Sequence, residues 1–245
     1  MIEIMNKFHR EKIKNIIFDL DGTLIHANPH RANFIQAFLE KNQIRMTASQ
    51  IKAAGRWSSE FWINEGSSDF GPDWNDLEDL LMFWRSYLDQ YYKILGITEG
   101  KLDKLFRELA ELLINMNRKE FIMKDTKEVL RSLKMEGYRL GVLSNRDLSI
   151  QSAIDRFSMT DFFDCAYSAG ELGSYKPNKI VFEKYLEKFE GIPEETVYIG
   201  DNYWLDGLGA KNAGLSPVLF DVYDWYEDSK IPTISRLSEL NNHLN

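Results

Sequence analysis

Ile16-Ile17-Phe18-Asp19-Leu20-Asp21-Gly22-Thr23-Leu24 is the stretch from which the rest of the chain can be read. Ile16, Ile17 and Phe18 have the unbroken apolar character and β propensity of a strand buried on both faces, as in a parallel sheet. Two acids follow at once. Asp19 and Asp21 stand two apart where the strand frays, so their carboxylates escape the strict alternation of an extended strand. Gly22 permits a sharp turn. Acids and open backbone at the end of an apolar strand make a seat for a hard cation such as Mg2+. A calcium loop would want more oxygen ligands and a closing Glu about twelve residues from its start, but Thr23, Leu24 and Ile25 follow instead. A plain acidic turn is the other alternative, and partners further down the chain weigh against it.

Those partners lie beyond Phe121, where strands and helices alternate. Asp125 is a candidate cap for a helix carrying Val129, Leu130 and Leu133 and ending near Gly137. Tyr138–Leu143 reads as a buried strand that stops at Ser144-Asn145-Arg146, with Asp147 capping the next helix. Phe162–Ala169 is a third strand. Pro177 opens a helix with Ile180, Val181, Phe182, Tyr185 and Leu186 inward. Val197–Ile199 is a fourth strand, ending at Gly200-Asp201; a helix through Leu208 and Ala210 reaches Gly214, and Pro217–Phe220 is a fifth strand. Short strand–helix–strand alternation implies parallel pairing in a doubly wound sheet, whose ligands sit beyond the carboxyl ends of the strands. Asp19, Ser144, Asn145 and Asp201 each follow the last apolar residue of a strand or open the next segment, and Lys176 stands just ahead of Pro177.

Between these parts the character changes. Pro29 breaks the helical register that would align His26 with His30, so the two histidines read as hinge residues. From Asn28 to about Glu120 apolar residues recur at three and four, as in Phe34, Ile35, Phe38 and Leu39, then Leu77 to Leu95, then Leu102 to Met116. That spacing predicts a bundle of about four helices, with Trp57, Trp62 and Trp84 in its core and Trp74 at a helix start. Gly55-Arg56-Trp57 reads as an interruption of a helix, and Gly66–Asn75 as a loop. The expected organisation is therefore a Rossmann-like core over 1–27 and 121–245, with residues 28–120 as an inserted all-helical cap in an α/β protein.

With 245 residues the chain is long enough for one large core and a smaller attached domain. A net charge of −8 weighs against non-specific nucleic-acid binding. The single cysteine, Cys165, excludes an intrachain disulfide and fits a reducing, cytoplasmic setting. No stretch approaches the roughly 20 apolar residues of a membrane helix. Met1–Lys14 lacks the apolar core of a signal peptide and reads as a loose or helical extension.

Asp19, Asp21 and Thr23 match the Asp-x-Asp-x-Thr signature of the haloacid dehalogenase-like (HAD) superfamily, which the chain resembles. Leu143-Ser144-Asn145 resembles that family's second motif, Lys176-Pro177 the third, and Gly200-Asp201 through Asp206 the fourth. The four occur in order over residues 16–214. The resemblance implies a phosphohydrolase with Asp19 as nucleophile and Asp21 as general acid and base. It implies that Ser144 and the Asn145 backbone N–H hold phosphoryl oxygens, that Lys176 neutralises charge, and that Thr23 belongs to the substrate site. Mg2+ would be held by Asp19, Asp201 and the backbone of Asp21, with Asp206 orienting Lys176 or a metal-bound water. Asp21 disfavours dehalogenation, since the family's dehalogenase branch lacks that second acid. In relatives with a helical cap a turn like Gly55-Arg56-Trp57 helps choose the substrate, so Arg56 is a candidate substrate contact or a surface arginine. Tyr203-Trp204-Leu205 is bulkier than the motif's usual residues and either rims the pocket or packs outward. The implied activity is a Mg2+-dependent phosphatase acting on a small phosphate ester, as monomer or homodimer. A phosphomutase resembling β-phosphoglucomutase, or a non-catalytic binding protein, are the rival readings.

Overall fold

A computed structural model describes residues 12–65, 76–97, 99–240 and 244, with the side chains of 62–65, 99–102 and 104 excepted. The extension before residue 12, the Gly66–Asn75 loop and Trp74 lie outside the described residues, as does the side chain of Trp62. The chain forms two compact units, Met1–His26 with Glu120–Asn245, and Ala27–Lys119.

In the first unit, β1 (Asn15–Phe18) is buried along its whole length. It pairs in parallel with β4 (Arg139–Ser144) on one side and β6 (Thr196–Gly200) on the other, Phe18 lying opposite Val142 and Ile199. β5 (Cys165–Ser168) extends the sheet beyond β4. β7 (Ser216–Phe220) and β8 (Thr233–Ile234) extend it beyond β6, giving the all-parallel order β5-β4-β1-β6-β7-β8. The chain winds outward from β1 first one way and then the other, so the point of reversal lies at β1.

Alternation along the strands assigns each face its own core. Ile16, Phe18, Val197 and Ile199 pack with Val129, Leu130 and Leu133 of α5 (Thr126–Met135) and Ala153 and Ile154 of α6 (Gln151–Arg156). Ile17, Leu143 and Tyr198 pack on the opposite face with Val181, Phe182, Tyr185 and Phe189 of α8 (Lys179–Phe189). Each of these large apolar side chains contributes about 1.5–3 kcal/mol by leaving water. Covering both faces is what lets an uninterrupted apolar run such as Ile16–Phe18 serve as a central strand. No described helix is long and apolar enough to cross a membrane.

Several local expectations are corrected. Ile180 is exposed rather than inward, and α8 is capped by Asn178, whose side chain accepts from the Ile180 N–H, so Pro177 precedes the helix instead of opening it. Asp125 makes no side-chain cap bond, and Asp147 lies ahead of α6, whose cap position is Ile150; the Asp147 carboxylate instead accepts from the Tyr175 hydroxyl (2.6 Å). Ile25–Asn28 is a strand, β2, paired with β3 (Lys119–Ile122) in a separate two-stranded sheet.

The second unit holds α1 (Arg31–Lys41), α2 (Ala48–Glu65), α3 (Leu77–Ile94) and α4 (Glu99–Ile114). α3 starts where the Asp76 carboxylate accepts from the backbone N–H groups of Glu78 and Asp79. Its buried face, Trp84, Tyr87, Leu88, Tyr91 and Tyr92, packs against Ile35, Leu39, Ala54 and Leu109. Aromatic edges and faces meet in this core, as where Trp84 and Phe61 stand edge-on to Tyr87 at 5.5 and 5.0 Å. α2 runs unbroken through Gly55-Arg56-Trp57. A glycine inside a helix lowers its propensity by about 1 kcal/mol, which tertiary packing of Ala54 and Trp57 overrides.

Candidate active site

Residue placement at the sheet's carboxyl edge follows from register. Asp19 leaves β1 level with the ends of β4 and β6, its N–H donating to Ile199 O (2.7 Å). The turn after it is tight: Gly22 N donates to Ile25 O (2.8 Å) with Gly22 at φ +90°. Any Cβ on Gly22 would lie 2.2 Å from Asp201 Oδ2, so glycine here serves both the backbone conformation and the approach of Asp201. Gly200 leaves room for the approach of Asp206, whose Cγ would stand 2.2 Å from a Cβ at that position.

Lys176 is the hub. Its Nζ donates to Asp19 Oδ1 (2.6 Å), to Asp206 Oδ1 (2.6 Å) and to the Tyr198 hydroxyl (3.0 Å), filling all three donor positions in a buried setting. The Tyr198 hydroxyl donates onward to Leu143 O (3.0 Å). Asn145 fixes the lysine's backbone from the side: its Nδ2 donates to Lys176 O (3.0 Å) and its Oδ1 accepts from Lys176 N (2.8 Å). Asp206 is itself held, its Oδ2 accepting from Asn202 N (3.0 Å) in a π-helical turn, Tyr203–Leu208, that Asn202 caps.

Asp19, Asp201 and Asp206 bring carboxylate oxygens within 4.8 Å of one another. Burial first, and the neighbouring Asp206 and Asp21 after it, raise the Asp19 carboxyl to about 7 against the pull of Lys176. Burial and the charges of Asp19 and Asp206 also hold Asp201 well above the ordinary carboxylate range. Burial would lower Lys176, but Asp19 and Asp206 outweigh it and hold the ammonium well above the usual lysine value. Three carboxyl groups face one ammonium, so once ionised they bear more negative charge than Lys176 offsets. Hard oxygen donors with excess negative charge fit a divalent cation. Asp19 and Asp201 are the donors best placed to hold it, since both Asp206 oxygens are engaged with Lys176 and Asn202.

Asp21 stands apart from that cluster. Its half-exposed carboxylate is gripped by the Arg146 guanidinium, Nε donating to Oδ2 (2.7 Å) and Nη2 to Oδ1 (2.6 Å). Ser144 is buried at the end of β4, its Oγ accepting from Arg146 N (3.3 Å). Thr23 is fully buried, and its Oγ1 has no hydrogen-bond partner among the described residues. Arg56 lies within α2 of the helical unit. Tyr203 packs outward from the motif, stacking on Tyr226 at 5.3 Å and meeting Trp204 edge-on.

Two residues of this network escape sequence reasoning. Tyr198 reads as one more apolar position in a buried strand, although a buried tyrosine hydroxyl requires a partner and is a usable signal. Arg146 pairs with a residue 125 positions away, and no local pattern announces that.

Residues 13–214 match the family described as haloacid dehalogenase-like hydrolase. The chain belongs to that family. Among relatives of this HAD-like hydrolase, a glyceraldehyde 3-phosphate phosphatase from Pyrococcus furiosus is 26% identical over 244 residues, covering 94% of this chain and 93% of the relative. A pyrophosphatase PpaX from Bacillus cereus is 25% identical over 207 residues, covering 83% and 81%. Among solved structures, the magnesium-bound HAD-hydrolase YfnB of Bacillus subtilis superposes with a TM-score of 0.58 at 20% identity, covering 96% of this chain and 99% of that one. That likeness speaks for the shared α/β fold.

Proposed function

We propose that this HAD-like phosphoric monoester hydrolase is a Mg2+-dependent phosphatase of small phosphorylated metabolites that works through an aspartyl-phosphate on Asp19. The observation that carries the reading is the buried Asp19–Lys176–Asp206 triad beside Asp201 at the sheet's carboxyl edge. The names of the relatives, both acting on small phosphorylated compounds, support the substrate class. Cys165 as the only cysteine is in keeping with a cytosolic setting.

In this mechanism the Asp19 carboxylate attacks phosphorus, the ester P–O bond breaks, and the leaving oxygen takes a proton from Asp21. Asp21 then removes a proton from water, which attacks the phosphorus; the bond to Asp19 breaks and inorganic phosphate departs. Lys176 offsets charge on the transferring group, fixed by Asn145, Asp206 and Tyr198 so that little reorganisation is needed at the moment of reaction. Ser144 and the Asn145 N–H supply further donors, and Thr23 brings a buried hydroxyl with no partner among the described residues. A bound Mg2+ would lessen the repulsion between the Asp19 carboxylate and an anionic substrate.

The test is phosphate release from a panel of phosphorylated metabolites with Mg2+, comparing wild type with Asp19→Asn. Sustained release by wild type and none by the variant supports the reading. Release undiminished in the variant removes Asp19 from its role, and return of the phosphoryl group to a sugar without release marks a phosphomutase instead.

A further inference from the structure

Arg146 has no part in the steps above, yet both its backbone and its side chain are held at the edge of the sheet. Its backbone is held from both sides: N donates to Ser144 Oγ (3.3 Å) and O accepts from Gly170 N (3.1 Å). The next residue is wedged as well. Gly170, in the short helix α7 (Ala169–Leu172), approaches so closely that a Cβ on it would lie 1.9 Å from Asp147 O. The Tyr175 hydroxyl donates to the Asp147 carboxylate (2.6 Å).

The partner is pinned too. Asp21 sits in a tight turn, bridged to Ile25 and followed by the Gly22 N–H to Ile25 O bond. With both backbones fixed, the freedom that remains to the Asp21 carboxylate is rotation about its own side-chain bonds. The Arg146 fork removes it, because two parallel N–H···O contacts define a plane and a direction as well as a distance. Glu120 accepts from the same Nη2 (3.3 Å) and is itself paired with Arg156, so a second carboxylate helps hold the guanidinium in place. The ordinary account of such a contact is a surface ion pair worth about 0–1 kcal/mol. That account explains the charges and leaves the double backbone anchor without a purpose.

We propose that Arg146 is a positioning residue that orients the Asp21 carboxylate for proton transfer. One loop then performs two settings in consecutive residues: Asn145 fixes Lys176, and Arg146 fixes Asp21. This inference rests on the reading of Asp21 as the group that protonates the leaving oxygen.

The reading makes a demand that a structural role does not. An alkyl phosphate such as glycerol 1-phosphate needs its leaving oxygen protonated, whereas p-nitrophenyl phosphate releases a stable phenolate that needs no proton. Misorienting the acid therefore penalises the first ester selectively. The experiment compares kcat/KM for the two esters, per folded molecule judged by thermal melting, in wild type, Arg146→Ala, Arg146→Lys and Asp21→Asn. Arg146→Ala is expected to lose about tenfold or more on the alkyl ester and less than about threefold on the aryl ester. Arg146→Lys, which keeps the charge and loses the fork, is expected to shift the ratio in the same direction. Equal losses on both esters, or a ratio that Arg146→Ala leaves unchanged while Asp21→Asn shifts it, overturn the inference and leave the phosphatase reading standing. A wild-type protein that hydrolyses neither of these esters nor any member of the metabolite panel removes the phosphatase reading, and this inference with it.

Discussion

The two units bury different kinds of residue. Among the described residues, the buried polar and charged side chains other than tyrosine, Asp19, Thr23, Ser144, Lys176 and Asp206 with five others, all fall in the unit built on the parallel sheet. The buried face of the helical unit is aliphatic and aromatic, with Trp84, Tyr87, Leu88, Tyr91 and Tyr92 at its centre. Burying an ion is costly unless it is paired and hydrogen-bonded. The sheet unit bears that cost chiefly where β1, β4 and β6 end together, and again at Asp221 past β7, whose carboxylate accepts from the N–H groups of Trp225 and Tyr226. In the helical unit it falls on Arg31, whose pKa burial lowers to about 10. The difference separates a region organised for chemistry from one organised for packing.

Substitutions in the two regions should therefore fail in different ways. Asp19→Asn keeps the shape of the side chain and removes the attacking carboxylate, so turnover is expected to fall about a thousandfold or more while circular dichroism and melting remain those of a folded protein. A variant that loses its fold along with its activity would erase the contrast. Leu88→Ala in the helical unit is expected to cost about 2–5 kcal/mol in denaturant unfolding, with a far smaller change in turnover per folded molecule. Gly22→Ala lies between these cases. Left-handed backbone costs a non-glycine residue about 1–2 kcal/mol, and the new methyl must displace Asp201. Titrating activity with Mg2+ should show a higher concentration needed for half-maximal turnover.

The smallest expected effect concerns His26, whose ring packs on Phe121 and Phe220 (centroids 5.5 and 5.9 Å apart) with a buried Nε2 that has no partner among the described residues. Burial lowers its pKa from the ordinary 6.5. The unfolded chain then binds the proton more readily than the folded one, so this residue's contribution is complete above the unfolded pKa and is lost as pH falls below it. Wild type minus His26→Phe, in unfolding free energy, should be flat above about pH 7 and decline toward pH 5. A difference that grows as the solution is acidified would reverse the sign and contradict this placement.

How much of this was legible in the sequence depends on range. Ile16–Phe18, Leu140–Leu143 and Val197–Ile199 announce themselves because a strand covered on both faces leaves an apolar run, and each run stops where a polar group begins. Within the second unit α1, α3 and α4 show in their apolar spacing, whereas α2 does not. β8 is only two residues, Thr233 and Ile234, and becomes a strand solely by pairing with Leu219 and Phe220. Gly55 looks like a break because propensity is local, while the packing that carries α2 through it is tertiary. At the site, the residues that end strands stood out by position. Asn145 reaches Lys176 across 31 positions, Tyr198 reaches Leu143 across 55 and Arg146 reaches Asp21 across 125, and periodicity carries no record of such pairs.

The account centres on Asp19 as the group that takes the phosphoryl. The direct measurement is rapid acid quench of the wild-type protein during turnover of a phosphate ester labelled in its phosphoryl group, followed by peptide mapping. The account predicts label bound through an acyl phosphate to the peptide that contains Asp19, absent when Asp19→Asn is treated in the same way. Label on another residue, or turnover with no labelled protein at the shortest quench times, would contradict it.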